Sequence, residues 1–270
     1  MSSKLIRIPR ELVSTLQPLS PTNLVRVGSR FDGGYVVSER SINATRRLIS
    51  FGNGFNVDFE YDFSSRKRFA IDLEIYDGSM RIISFKHLIK KGMSSLKFRS
   101  PIPTGEYFIF LAKCVHLKFH KSRFIKLFLS AEQSKGAISL SKVLENYYDL
   151  QTIFLKMDIE GSEYDCLDEI IGHAHLFSGV VIEFHNLDSH FDRFAEFIEN
   201  MRIKGFNLDH VHANNFSGLT QTGIPNTIEV SLSPLRLDNA YERVHRLPIP
   251  NLDSPCSMTR SDYEISFERE

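Results

Sequence analysis

Asp158, Glu160 and Glu163 follow directly on the apolar run Ile153-Phe-Leu-Lys-Met157, with Gly161 set among them. A buried strand that ends this way delivers carboxylates to the carboxyl edge of a sheet, where open α/β folds bind their ligands. Such groups can take a proton, hold a cation or accept from sugar hydroxyls. The segment Val180-Val-Ile-Glu-Phe-His185 repeats the pattern with Glu183 and His185, which alternate along a strand and point to opposite faces. Earlier, Leu48-Ile-Ser-Phe leads into Gly52-Asn53-Gly54, a glycine turn that lets backbone approach a ligand with helix N-terminal amides facing it. Asp77 closes another apolar stretch, at the distance from that turn at which nucleotide folds place a ribose-binding carboxylate; Asp72 and Glu74 are the alternatives.

A further cluster, Asp209-His210-Val-His212-Ala-Asn214-Asn215, sets two imidazoles on one face of a strand. Histidines at that spacing suit a metal, and equally a half-exposed strand; without matching cysteines no metal ligand set is assigned.

The elements that must carry these residues alternate. Strands are expected at 47–52, 69–76, 123–129, 152–158, 179–185, 207–212 and 227–232, and helices at 57–67, 139–148, 162–172 and 188–204. The alternation predicts βαβ units and a mainly parallel sheet. The last two strands, parted by Asn214, Gly218, Gly223 and Pro225 with no helix between them, read as an antiparallel pair at one end. Residues 1–45 read as a leader with a hairpin around Asp32-Gly33-Gly34, 46–232 as the main domain, and 233–270, with Pro234, Pro248, Pro250 and Pro255, as an extended tail.

Residues 85–127 differ from the rest: Lys86, Lys90, Lys91, Lys97, Arg99, Lys113, Lys118, Lys121, Arg123 and Lys126 are interleaved with aromatics against the lone acid Glu106. Such an insertion can touch a membrane or a lipid-linked glycan, and can equally be a solvated loop with its aromatics packed inward.

Composition excludes several classes. Hydrophobic content of 42% and charged content of 24% are those of an ordinary globular domain. A net charge of zero gives no overall field for nucleic acid. Cys114, Cys166 and Cys256 have no spacing for a disulfide framework or a zinc knuckle, which points to a reducing compartment. The charged start and the lack of a long apolar window predict a cytoplasmic chain, at most peripheral to the inner face of the membrane.

Together these residues resemble the FkbM-type methyltransferase family, S-adenosylmethionine-dependent enzymes of class I fold. The likeness rests on Arg26 with Asp32-Gly-Gly-Tyr-Val-Val37, Ser50-Phe-Gly-Asn-Gly54 with Phe59-Glu60, Phe154-Leu-Lys-Met-Asp-Ile-Glu-Gly-Ser-Glu163, Val181-Ile-Glu-Phe-His185, and His210-Val-His-Ala-Asn-Asn215 with Pro225 and Ile228-Glu229. The resemblance implies a Rossmann-like α/β fold: a mainly parallel seven-stranded sheet, an antiparallel strand near one edge and helices on both faces. It implies S-adenosyl-L-methionine as cofactor, along Gly52, Asn53, Gly54 and Asp77 with Asp158 near the methyl, and transfer to a hydroxyl of a sugar, glycan or related metabolite. Ser50 stands where class I methyltransferases usually carry an acid before the glycine turn.

On this reading Asp158 or His185 is the base, with His210 or His212 in reserve, and Glu160, Glu183, His212 and Asn214 contact the acceptor. A divalent ion at Asp158, Glu183 and Asn214 is possible and not favoured. Two other readings compete: a metal-dependent hydrolase or glycosyl-transferring enzyme built on Asp158, Glu160, His185, His210 and His212, and a non-catalytic module that binds glycan or lipid through 85–127.

Overall fold

Seven runs of apolar and β-branched residues form the central sheet: β1 (Arg47–Phe51), β2 (Asp72–Tyr76), β3 (Ser122–Ile125), β4 (Ile153–Met157), β5 (Phe177–Phe184), β6 (Phe206–Ala213) and β7 (Ile228–Pro234). The computed structural model of the chain describes residues 5–54, 56–79, 104–119, 121–131, 134–238 and 240–268. Lys86, Lys90, Lys91, Lys97 and Arg99 of the basic insertion lie outside them.

The strand order is β3-β2-β1-β4-β5-β7-β6. The first five strands run parallel, and β7 enters between β5 and β6 antiparallel to both. This is the class I methyltransferase order: the chain reverses direction between β1 and β4, and a ligand crevice opens there at the carboxyl edge.

Every residue of β4 and β5 is buried, as expected of strands covered on both faces. Alternation divides them between two cores. Leu48, Leu73, Phe154 and Val181 pack with Phe59, Phe63 and Ile42, from the helices Asp58–Ser65 and Glu39–Ala44. Ile49, Leu155, Val180 and Ile182 pack on the opposite face with Leu140, Leu167, Phe194 and Phe197, from Leu140–Leu144, Leu167–Gly172 and Leu187–Ile203.

The helices depart from expectation where local hydrogen bonds compete. The expected helix 139–148 is only Leu140–Leu144, capped by the Ser139 side chain. The expected 162–172 is split into a 3-10 turn, Glu163–Cys166, and the α-helix Leu167–Gly172, because Glu163 turns back to bind the preceding loop. Thr104–Phe119, inside the basic stretch, forms a helix the sequence reading did not assign. Phe110, Cys114 and Leu117 bring its apolar stripe onto the Leu48 side of the sheet. Among the described residues no helix is long and apolar enough to cross a membrane.

The chain ends fold together. Tyr241–Arg243 pairs with Leu19–Pro21, and Glu264–Ser266 lies between Leu5–Arg7 and Arg246–Leu247. The hairpin Leu24–Gly28 with Gly34–Ser38 packs on the helix Asp58–Ser65 and carries Tyr35 under the sheet edge.

At that edge Gly52 has φ +74°, and an added Cβ would stand 1.5 Å from the Asp158 carbonyl oxygen. Gly54, at φ +52°, has no described neighbour within 4 Å of such a Cβ. Gly52→Ala is therefore expected to lose about 3 kcal/mol or more in denaturant unfolding, against about 1 kcal/mol for Gly54→Ala, where only backbone strain opposes the methyl.

Candidate active site

The carboxyl ends of β1, β2 and β4 meet through backbone: Gly52 N donates to Tyr76 O (3.1 Å) and Asp158 N to Phe51 O (3.2 Å). Two clefts open above this junction and share Gly52, Gly54, Asp158 and Glu160. One, of about 240 Å³, is polar, with Asp32, Asn53, Asn56, Glu60 and Lys156 in its wall. The other, of about 280 Å³, is largely apolar, with Phe51, Tyr76, Leu127, Phe128 and Ile159 beside Asp77. The structure thus brings Gly52, Asn53, Gly54, Asp77, Asp158 and Glu160 into one region.

Asp77 is nearly buried and accepts from Gly54 N (2.5 Å), Ser79 N (2.7 Å) and Ser79 Oγ (2.5 Å). It ties the glycine turn to the turn after β2 while its carboxylate rims the apolar cleft. Asp72 is exposed in an ion pair with Arg47, and Glu74 is buried against Tyr76, Tyr147 and Arg123. Neither lines a cleft, which leaves Asp77 as the acid of β2 at the site.

Asp158 receives the Tyr35 hydroxyl on Oδ2 (3.2 Å), and the Lys156 ammonium lies 3.6 Å away while donating to Gly52 O (3.0 Å). Behind it Glu183 accepts from Asn214 Nδ2 (2.6 Å) and stands 3.4 Å from Tyr35. Burial, then the charges of Asp158 and Glu229, push the Glu183 carboxyl up to about 8. His185 lies between Glu163 (3.0 Å), Glu160 (3.6 Å) and Glu183 (3.9 Å). Burial opposes its charge, yet the hydrogen bond to Glu163 and the charges of Glu183 and Asp158 raise it to about 9. The close contact with Glu163 thus favours the charged imidazolium, which argues against the assignment of His185 as a base. Glu163, fully buried, also accepts from Ile159 N and Gly161 N and so braces the loop that carries Asp158 and Glu160.

The histidines of β6 do not reach the clefts. His210 pairs with Asp253 (2.7 Å), and His212 contacts Glu229 on Nδ1 (3.0 Å) and Asp262 on Nε2 (3.1 Å). They are not reserve bases, and His212 is not an acceptor contact. Asn214 anchors Glu183 instead of facing a substrate. A hydrolase or glycosyl-transferring centre on Asp158, Glu160, His185, His210 and His212 has no geometric basis, since the β6 imidazoles are committed to partners that include Asp253 and Asp262 of the C-terminal segment.

Tyr35, Lys156 and Glu60 lie in the stretches that carry the resemblance, yet sequence reasoning gave them no role at the site. Lys156 had a signal, a lone charge inside a buried run. Glu60 is fully buried on the helix after the glycine turn, and Ser50 Oγ donates to its Oε1 (2.6 Å). It brings a carboxylate to the place where Ser50 itself has none.

With this geometry in view, residues 100–208 match the family model for the methyltransferase FkbM domain. The chain carries a methyltransferase FkbM domain. No curated protein sequence matches the chain. Among solved structures it is similar to an rRNA methylase from Streptococcus thermophilus (10% identity, TM-score 0.37, covering 72% of this chain and 89% of that one). It is also similar to precorrin-6y C5,15-methyltransferase from Geobacter metallireducens (14%, 0.35, 72% and 82%) and to M. jannaschii TYW2 in complex with AdoMet (11%, 0.32, 76% and 74%). The matched segment spans β3 to the start of β6 and includes Asp158, Glu183 and His185; Gly52 and Asp77 precede it.

Glu183 rises from 4.5 to about 8 and His185 from 6.5 to about 9, so the folded chain holds protons that the unfolded chain releases. The stability from His185 is complete below pH 6.5 and is lost as pH rises through 9. Thermal melts are expected to drop by several degrees across that window, and His185→Gln to flatten the fall. An unchanged slope in the variant would contradict the assignment.

Proposed function

We propose that this methyltransferase domain transfers a methyl group to a hydroxyl of a sugar, glycan or related polar acceptor, with Asp158 as the base. The observation that carries the reading is the position of Asp158: the residue lines both the apolar cleft and the polar one, where the two meet.

The residues present fit S-adenosylmethionine. The apolar cleft offers Phe128 and Ile159 to an adenine and the Asp77 carboxylate to a ribose. Of the residues lining the polar cleft, two have buried atoms without a partner among the described residues, Glu60 Oε2 and Asn53 Nδ2. An unmatched acceptor and donor suit the ammonium and carboxylate of an α-amino acid, and leaving them unpaired is costly. When bound, the cofactor supplies a methyl group already activated on a sulfonium.

The chain then has to align a hydroxyl and remove its proton. Asp158 Oδ2 is held in place by Tyr35 and Lys156, and it takes the acceptor proton at that oxygen. Asp32, Asn56 and the exposed Glu160 give the polar wall the acceptors and donors that sugar hydroxyls use. Lys121 and Lys126, exposed beside β3, support an anionic or lipid-linked glycan as acceptor.

S-adenosylhomocysteine at about a hundred times its Kd is expected to stabilise the wild type by about 2.7 kcal/mol, read as a rise in melting temperature. Asp77→Ala and Glu60→Gln should each remove most of that rise relative to their own ligand-free melts. Asp158→Asn should keep it while methylation of a sugar acceptor falls about a hundredfold or more. No shift in the wild type at millimolar ligand would refute the cofactor cleft, and full activity in Asp158→Asn would refute the base.

A further inference from the structure

Behind the polar cleft, three side chains of different chemistry converge in the interior. His212 and Glu229 are direct cross-strand partners on β6 and β7, so the sheet ladder itself fixes their separation. Cys256 comes from the segment after β7, and its thiol is brought to the same point. All three are buried, at 3%, 4% and 2% exposure.

One donor atom from each of the three lies within 4.8 Å of the others. His212 Nδ1 is 3.0 Å from Glu229 Oε2, Cys256 Sγ is 3.3 Å from the other oxygen, Oε1, and Sγ is 3.9 Å from Nδ1. Metal–ligand bonds of about 2.0–2.3 Å at tetrahedral angles place the donors of a zinc ion about 3.3–3.7 Å apart. The other ring nitrogen, His212 Nε2, meets Asp262 Oδ2 at 3.1 Å. A carboxylate on the far side of a ligating imidazole is the usual way its tautomer and orientation are fixed.

We propose that His212, Glu229 and Cys256 bind one divalent zinc-type cation, which clasps the C-terminal segment to the sheet. One imidazole nitrogen, one sulfur and one carboxylate oxygen form a borderline-soft set that suits zinc over magnesium or calcium. Binding releases the thiol proton to solvent, and the Nδ1 proton as well where the ring is an imidazolium. Zinc with a thiolate, a carboxylate and a neutral imidazole is a net-neutral unit, which a buried site favours. The fourth position falls to water.

The clasp has a structural consequence for the site. Asp32 N donates to the Cys256 carbonyl oxygen (3.3 Å), and Asp32 and Gly33 line the polar cleft. Holding Cys256 therefore holds one wall of that cleft. The alternative occupant of the site is a proton, with the thiol donating to Glu229 and no metal present.

The full chain, purified without chelator and reconstituted with zinc chloride, is expected to carry one zinc per chain by inductively coupled plasma mass spectrometry after gel filtration. Cobalt in its place should give a thiolate-to-metal charge-transfer band in the near ultraviolet. Cys256→Ser should lose the band and at least tenfold of the zinc, whereas Cys114→Ser keeps both. Chelator should lower the wild-type melting temperature by roughly 5 °C or more and leave Cys256→Ser unmoved. A wild type that holds less than a tenth of an equivalent, or a cobalt form without the band, overturns the proposal even if no variant folds. Zinc retained in full by Cys256→Ser overturns it too. Metal content is read without S-adenosylmethionine, so this result is independent of the methyl-transfer test.

Discussion

The site depends on the contact between the Gly52 backbone and the Asp158 carbonyl oxygen. These groups belong to the ends of β1 and β4, whose register places Phe51 opposite Met157 and so leaves the next residue of each strand side by side at the edge. No side chain fits at Gly52, because its Cβ would coincide with the opposing oxygen. The closeness is what makes two clefts share one floor. If the strands parted by the width of a methyl group, the cleft at Asp77 and the carboxylate of Asp158 would belong to separate pockets.

Once the edge is fixed, the next problem is electrostatic. Asp158, Glu163, Glu183 and Glu229 stand near one another with little water, and isolated charges there would be costly. The fold answers with Lys156 beside Asp158, His185 between Glu163 and Glu183, and His212 between Glu229 and Asp262. Glu183 responds differently: its carboxyl, raised to about 8, keeps a proton at neutral pH and receives the Asn214 amide. The result is a layer of fixed charges behind one carboxylate that reaches the clefts. That division argues against His185 as a base, although it is a good one by residue type: the buried Glu163 carboxylate against its ring, with Glu160 nearby, favours keeping its proton.

Parts of this were legible in the residues themselves. Ile153-Phe-Leu-Lys-Met ends in Asp158, and Leu48-Ile-Ser-Phe ends in Gly52, so strand ends and site residues could be read from the same few letters. The antiparallel β7 was legible from the missing helix between two apolar runs. What stayed hidden is non-local or masked by composition. The helix Thr104–Phe119 hides its stripe of Phe110, Cys114 and Leu117 among lysines and further aromatics. The pairings of His210 with Asp253 and His212 with Asp262 join positions 43 and 50 residues apart, and no periodicity announces them. Glu60 falls between these cases. Its signal is the serine at position 50, since a site that needs an acid and lacks one at its usual place draws it from the next element able to reach.

The two clefts also bear on what the acceptor can be. Displacement at a sulfonium methyl requires nucleophile, carbon and sulfur nearly in line, so donor and acceptor must enter from opposite sides of one point. On the proposed reading, a nucleoside against Phe128 and Ile159 leaves the acceptor to come from the side of Asp32, Asn56 and Glu160. That wall is rich in oxygen acceptors and poor in flat apolar surface, which favours a hydroxylated ring over an aromatic one. An amine acceptor would arrive as a cation and settle against Asp32 and Glu160 in its unreactive protonated form. A hydroxyl arrives neutral and needs only one carboxylate to take its proton, the part the proposal gives to Asp158.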